Sequence, residues 1–339
     1  MGGDRTQDSM KRLKKQIEQM NTKENKGLPQ EEVMEIITSK MEDKQLLPWS
    51  KKWIGDSKNI GSVFAIPTNF DTGKDYEGGN IFILLMQGYA SRYWLPWGGI
   101  KKLGGRVKKN ETGTRCLRWN FTWKDENGKT VPKHKVDPSK HKKQIFPTKF
   151  IVWNAEQIEG IDFPEEPSAP VLPEEERKNQ AIARAEQVWN NFENPPALEM
   201  KLKKDGDCPC YSPALDRVEM PLMNQWENSE SFYKTLFHEL VHSTGHQKRL
   251  ARKEITELKG FGTQSYSREE LVAELGAAML ALVTGCWGED EQNNSAAYVK
   301  GWIAKLKDDP KLLLIAGGRA QKACEHILGC KLQEWIPES

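Results

Sequence analysis

The residues whose types and spacing most plainly describe chemistry are His238, Glu239 and His242, in the run His238-Glu239-Leu240-Val241-His242. On an α-helix, two histidines four positions apart lie on one face with their Cβ atoms about 5–6 Å apart. Both imidazoles can then reach a single Zn²⁺ at roughly 2.0–2.1 Å. Glu239 stands beside them, where a carboxylate can take a proton from an attacking water. The pattern predicts a zinc-dependent hydrolytic centre, with His238 and His242 as ligands and Glu239 as general base.

A hydrolytic zinc of this type takes a third protein ligand and leaves one position open. In the metzincin pattern a third histidine ends HExxHxxGxxH. Gly245 fits that pattern, but position 248 is Lys, and His246 falls two residues short. The other solution is a glutamate on a later helix. Glu270 and Glu274 are four residues apart and face the same way, and the series Glu270, Ala273, Glu274, Ala277 resembles the gluzincin ExxA[D/N] helix. That resemblance implies Glu270 as third ligand and Glu274 as the acid that backs a ligating histidine, or as an alternative ligand. Ser267 and Glu270 also fit a capping box, a purely structural role for the same acid.

These residues need helices to hold them. Phe232, Tyr233, Leu236, Phe237, Leu240 and Val241 form an apolar stripe at helical spacing, leaving the His–Glu face for a cleft. Ser229 or Ser231 can cap that helix and Gly245 can end it. Further helices are predicted at about 177–191, 268–284, 291–307 and 311–327. Cys210 to Pro221 reads as extended, and Asp216 to Pro221 as an edge strand able to pair with a peptide. Upstream, Glu31 to Glu42 carries Val33, Ile36, Ile37 and Met41 at helical spacing. Short β-type runs follow over 63–85 and 94–123, with a last strand at 150–153. The run FPEEPSAPVLPEEE over 163–176 has the composition of a linker. The expected fold class is α+β: a disordered basic segment at 1–27, a mixed α/β domain at 28–162, the linker at 163–176, and a mainly helical domain with a small sheet at 177–339.

The net charge of +2 conceals an asymmetry. From Lys101 to Lys149 there are fifteen Lys/Arg against four Asp/Glu, a surplus of +11, so the remainder sums to −9. Single-stranded DNA is bound by a positive groove combined with aromatic stacking platforms. Both occur between 92 and 149. Arg92, Lys101, Lys102, Arg106, Lys108, Lys109, Arg115 and Arg118 interleave with Tyr93, Trp94, Trp97, Trp119, Phe121 and Trp123. Of these, Trp94, Trp97 and the eight named cations are the expected DNA contacts. Trp119, Phe121 and Trp123 would share one strand face, either a stacking surface or a core face, with at least one of them expected in the core. The segment HKVDPSKHKK (134–143) is expected to form a mobile loop.

The chain as a whole resembles the ArdC-like antirestriction proteins of plasmids and other mobile elements. HELVHSTGHQKRL followed by FGTQSYSREELVAELGAAML is similar to that family's HELxHxTGHxxRL and FG…Y…EELxAELGAA. In the first half, Pro48, Trp49 and Trp53 resemble its PW…PW entry. Pro67, Asn69, Thr72, Gly73, Lys74, Tyr76, Gly78 and Asn80 resemble PxN…TGKxYxGxN. Trp94, Gly104, Gly105, Val107 and Lys108 resemble W…GGxVxKG, and Phe150, Asn154, Gln157 and Gly160 resemble VFNxxQxxG. The likeness spans about residues 28 to 284. Gly79 is an addition to it, Asn110 stands for a usual Gly, Trp97-Gly98-Gly99 replaces a polar stretch, and the basic insert from Lys124 to Lys149 is longer than typical. The resemblance implies an N-terminal domain that binds single-stranded DNA, a C-terminal zincin-like metallopeptidase domain, and a role in protecting incoming DNA from host restriction.

No apolar run approaches the roughly 20 residues that cross a bilayer. The polar start lacks a signal-peptide core, and the six scattered cysteines contain no CxxC pair. A cytoplasmic protein with free thiols and no membrane partner is expected. Three functional classes remain open: a DNA-steered zinc peptidase, a single-strand-coating protein whose zinc is structural, and a protein that blocks a restriction enzyme without cutting it. Glu239 separates them, because a structural zinc site has no need of a base.

Overall fold

A computed structural model describes residues 28–50, 66–164, 173–204, 208–257, 264–287 and 296–335. The expectation for residues 1–27, and most of the proposed linker, falls outside these.

The chain opens with helix α1 (Pro29–Lys44). Pro29 suits a first helical position, where the missing N–H has no partner to lose, and the Glu31 carboxylate accepts from the Leu28 N–H at 2.9 Å. Val33, Met34, Ile37 and Met41 form its buried side. Strands β1 (Thr68–Asn69) and β2 (Lys74–Asp75), helix α2 (Gly79–Leu85), strand β3 (Tyr93–Pro96), helix α3 (Trp97–Lys102) and strand β4 (Arg106–Val107) follow. Then come the long strand β5 (Thr114–Lys124), the short β6 (Thr130–Val131), the 13-residue β7 (Lys142–Asn154) and β8 (Ile158–Glu159). One sheet has the order β2-β1-β3-β7-β5-β6, with β1 and β3 parallel and the other pairs antiparallel. A separate pair joins β4 to β8.

The second half begins with helix α4 (Glu174–Asn191), so the linker is shorter than its composition suggests: Glu174 to Glu176 already belong to the helix. Strands β9 (Ala197–Lys201), β10 (Cys210–Ser212) and β11 (Arg217–Pro221) form a small sheet in the order β10-β11-β9. Helices α5 (Ser229–Ser243), α6 (Lys253–Thr256), α7 (Gln264–Thr284), α8 (Ala296–Asp308) and α9 (Leu312–Leu328) complete it. α7 is buried along most of its length from Leu271 to Val283, as expected of a helix apolar on all sides. It packs between α5 and α9. The close crossing on α5 depends on Gly276, where a Cβ would come within 2.6 Å of Val241.

The two halves share one hydrophobic core. α1 lies on α8 and α2 on α9. Trp49 meets Trp302 edge-to-face at 5.7 Å, and the Gly78 N–H donates to Gln321 at 2.7 Å. Gly79 and Gly317 bring two backbones together so closely that a Cβ on Gly317 would overlap Gly78 and Gly79. The extra glycine of the first half therefore matches a glycine in α9.

Three local expectations are corrected. β11 is the central strand of its sheet, bonded to β9 on one side and β10 on the other, so it has no free edge for a peptide. Ser267 lies inside α7, which starts at Gln264, and so is not an N-cap. α5 is capped by Asn228, whose side chain accepts from the Ser231 N–H at 2.8 Å, and ends on Thr244 before Gly245. Residues 134–143 form a hydrogen-bonded turn leading into β7. In it the Asp137 N–H donates to His141 Nδ1 at 2.9 Å and the His141 N–H to the Asp137 carbonyl at 2.9 Å.

Candidate metal centre and DNA-facing residues

α5 carries His238, Glu239 and His242, and α7 carries Glu270 to the same point. His238 Nε2 and His242 Nε2 are 3.1 Å apart. Glu270 places one carboxylate oxygen 3.6 Å from His238 Nε2 and the other 3.5 Å from His242 Nε2. Three donors about 2.0–2.1 Å from a tetrahedral ion would stand roughly 3.4 Å from one another. The observed triangle therefore fits a divalent ion. Among the described residues, this is the one group of at least three His, Cys, Asp or Glu side chains that could hold a metal.

The electrostatics agree. Burial disfavours a charged His238, yet the carboxylates of Glu270, Glu239 and Glu274 outweigh it and push the imidazole up to about 9. A pocket that draws a proton onto a half-buried histidine is one that attracts a cation. Glu239 is buried beside this cluster.

Glu274 is buried and accepts a hydrogen bond from Tyr298 Oη of α8 at 2.6 Å. It stays on the His238 side of the centre, where its charge is felt. The acid that reaches the other histidine is Glu269, which sequence reasoning passed over. Its Oε1 lies 3.4 Å from His242 Nδ1. Arg252 grips the same carboxylate through Nε at 3.0 Å and Nη2 at 2.5 Å, while its remaining donors bond Thr244 Oγ1 at 2.6 Å and the Val241 carbonyl at 2.8 Å. The guanidinium thus ties the end of α5 to the start of α7. A carboxylate behind a ligating imidazole fixes its tautomer and orientation. One signal was legible: an acid next to Glu270 on an apolar helix points elsewhere and must be paired. A second brace holds the chain after α5, where Arg249 bonds Asp216 and donates through Nε to the Ser243 carbonyl at 2.7 Å.

The residues expected at DNA separate into groups. Trp94, on β3, is only 2% exposed and belongs to the core, so it cannot stack on a base. Trp97 is 48% exposed, leans on Trp153 at 5.9 Å and has Lys101 Nζ 5.6 Å from its ring. Lys101, Lys102, Arg106, Lys108 and Lys109 are all exposed. Lys102 is paired with Asp71 at 2.6 Å, Arg106 with Glu159 at 2.7 Å, and Lys108 Nζ donates to the Glu156 carbonyl at 2.7 Å. Arg92 sits 5.1 Å over Tyr93. Arg115 is engaged by Glu32 at 2.9 Å, and Arg118 is exposed on β5. None of Trp119, Phe121 and Trp123 is buried, contrary to the core role expected for at least one of them, because among the described residues no other layer covers that part of β5.

An HExxH helix crossed by a second helix that supplies a glutamate defines a zincin-like domain, here joined to a basic α/β domain. The sequence comparisons agree: residues 193–319 match the zincin-like metallopeptidase family, and residues 29–153 match the N-terminal domain of anti-restriction factor ArdC. The structure is similar to a metal-free crystal structure of the antirestriction ArdC protein from plasmid R388, at 26% identity and a TM-score of 0.62, covering 89% of this chain and 98% of that one. It is similar to a Mn(II)-bound structure of that protein at 25% identity and the same TM-score of 0.62. Residues 29–153 and 193–319 thus match, in this order, an ArdC-type N-terminal domain and a zincin-like domain, in a structure similar to the antirestriction ArdC protein. It is 31% identical over 288 residues to a DNA primase TraC of Escherichia coli, covering 83% of this chain and 18% of that protein. A second E. coli TraC is 32% identical over 291 residues, with 25% of its length covered. The chain thus spans only about a fifth to a quarter of these primases. An uncharacterized protein of Sinorhizobium fredii (strain NBRC 101917 / NGR234), y4eC, is 29% identical over 274 residues, covering 82% of its length. Among the described residues no helix is long and apolar enough to cross a membrane, and no disulfide joins the cysteines.

Proposed function

We propose that the chain is a DNA-steered zinc metallopeptidase that protects incoming DNA from restriction, with its first half holding single-stranded DNA and its second half cleaving a protein of the restriction machinery. The observation that carries this is the convergence of His238, His242 and Glu270 on one point beside a buried Glu239. These three would hold the ion, which would be Zn²⁺ in the reading favoured here; the related plasmid protein has a Mn(II)-bound structure. Bound there, a divalent ion supplies Lewis acidity, polarising a carbonyl and acidifying water. Glu239 takes the proton of the attacking water and returns it to the departing amine. Glu269, held by Arg252, keeps His242 in its ligating tautomer, and Glu274 with Tyr298 steadies the His238 side.

A peptide can add to a sheet only at an open edge. β10 offers one and is the strand near Glu239: burial raises the Cys210 thiol, and the carboxylates of Glu219 and Glu239 add to that rise. For the DNA, exposed Trp97 with Lys101 beside its ring supplies an aromatic face next to a cation, and Lys108 and Lys109 are further exposed cations of the same domain.

The test is Glu239→Gln in the full chain. It should keep its metal and its affinity for single-stranded DNA yet lose protection of DNA transferred into a restricting host. Full protection by that variant would reassign the centre to a structural role, leaving a coating or enzyme-blocking protein.

A further inference from the structure

Between Arg118 and Thr148 no residue is buried. This stretch is a ribbon of β5 and β7, with β6 along the outer part of β5. It extends past the body of the sheet with both faces open. Its register pairs Trp119 with Pro147, Phe121 with Ile145 and Trp123 with Lys143. Alternation along a strand puts Trp119, Phe121 and Trp123 on one face with those partners. Trp119 is 43% exposed, Phe121 46% and Ile145 59%. A ribbon with no core beneath it gains little stability from apolar side chains on an open face, and exposed apolar patches of this kind mark binding surfaces.

The charge around the face indicates the occupant. From Thr114 to Lys149 the chain carries ten Lys/Arg against three Asp/Glu. Lys143 Nζ stands 4.3 Å from the centre of the Phe121 ring and Lys133 Nζ 5.9 Å from it. Alternate strand residues repeat every ~6.8 Å, twice the rise per residue. A row of rings at that interval suits successive splayed bases, with lysines beside them for the phosphates. A paired duplex keeps its base faces stacked inside and cannot use such rings, and the combination of open rings with an excess of cations matches what single-stranded nucleic acid presents, bases and phosphates together.

We propose that the outer β5–β7 ribbon is a stacking ladder for single-stranded DNA, with Trp119, Phe121 and Trp123 as platforms and Lys133 and Lys143 as phosphate contacts. The ladder rests on the single-strand-binding reading above but assigns the bases to residues other than Trp97. Because its rings stand outside the core, they can be removed without unfolding the protein.

The test uses the full chain with a fluorescein-labelled 20-nucleotide oligo-dT and a duplex of equal length, titrated at several salt concentrations. The combined Trp119→Ala and Phe121→Ala variant should bind oligo-dT at least about tenfold more weakly at every salt, since stacked aromatics dominate sequence-tolerant binding. Its salt slope should stay as in the wild type, since no charge is lost. Trp119→Tyr with Phe121→Tyr should restore binding. Lys133→Gln with Lys143→Gln should instead flatten the slope. Wild-type affinity in the alanine variant overturns the ladder while leaving single-strand binding intact. A wild type that does not bind oligo-dT overturns both. Equal losses for oligo-dT and duplex, or a change of oligomeric state with unaltered DNA binding, would assign the face to backbone contact or to a protein partner and also overturn the ladder.

Discussion

The metal centre and the outer ribbon both use aromatic or ionisable side chains for binding, in opposite settings. At the centre a chain of side chains is held from behind: His242 by Glu269, Glu269 by Arg252, Arg252 by the end of α5, and Glu274 by Tyr298. On the ribbon, Trp119 and Phe121 stand 43% and 46% exposed. A hydrolytic site needs its atoms held within fractions of an ångström, so it is built where side chains lock one another. A stacking surface accepts any base and works at the rim. Substitutions should therefore act on folding and metal retention in the first region, and on binding alone in the second.

The largest effect should come from cutting the buried brace. Arg252→Met leaves the Glu269 carboxylate buried without its cation and should destabilise the protein by about 3–5 kcal/mol. Urea denaturation checks this, and a loss below about 1 kcal/mol would mean that the pair adds no rigidity. Next, Glu269→Gln should weaken metal binding by about 10–100-fold while the ligands stay in place. Competition with a chromogenic chelator measures it, and unchanged affinity would reduce Glu269 to a partner of Arg252 alone.

A smaller effect concerns acid. Burial works to raise the Asp216 carboxyl, but its bonds with Arg249 and Tyr211 and the charge of Arg249 and His246 bring it below its usual value. A carboxyl depressed in the folded state stabilises the fold above its unfolded value, about 3.9, and that contribution fades as the pH falls through the folded value. The stability gap between wild type and Asp216→Asn should thus be full at neutral pH and shrink below about pH 4. A gap that does not change with pH would remove the ion pair from the account. The smallest effect is expected on the ribbon. Trp119→Ala should shift stability by no more than about 0.5 kcal/mol, as for a surface position. A loss of several kcal/mol in thermal denaturation would reveal hidden packing and erase the contrast.

The legibility of the chain follows the same division. Helical spacing made α5 and its stripe readable, since six apolar residues from Phe232 to Val241 all proved buried. The likeness to gluzincins brought Glu270 to its place. Glu269 was missed because adjacent helical residues face different ways and its partner Arg252 lies in the turn after α5. β11 was misjudged as an edge because its parallel neighbour β9 arrives from earlier in the chain, and no local pattern announces that pairing. Alternation set the common face of Trp119, Phe121 and Trp123, but a two-residue period cannot say whether another layer covers it. Trp94 shows the converse: flanked by a cation-rich stretch, it is core because β3 runs through the middle of its sheet. The shared core of the two halves was likewise silent in sequence, except in the glycines at 78, 79 and 317 that let α2 and α9 touch. Cutting the chain in the linker would expose that core, so both functions are best measured on the whole protein.

The central claim is that His238, His242 and Glu270 hold one divalent ion. Zinc content by inductively coupled plasma mass spectrometry, on zinc-loaded and desalted wild type, His242→Ala, Glu270→Gln and Glu274→Gln, tests it most directly. The expected result is about one zinc per chain in the wild type, none in His242→Ala, a severe loss in Glu270→Gln and a milder one in Glu274→Gln. Stoichiometric zinc in His242→Ala, or a greater loss in Glu274→Gln than in Glu270→Gln, would contradict the assignment.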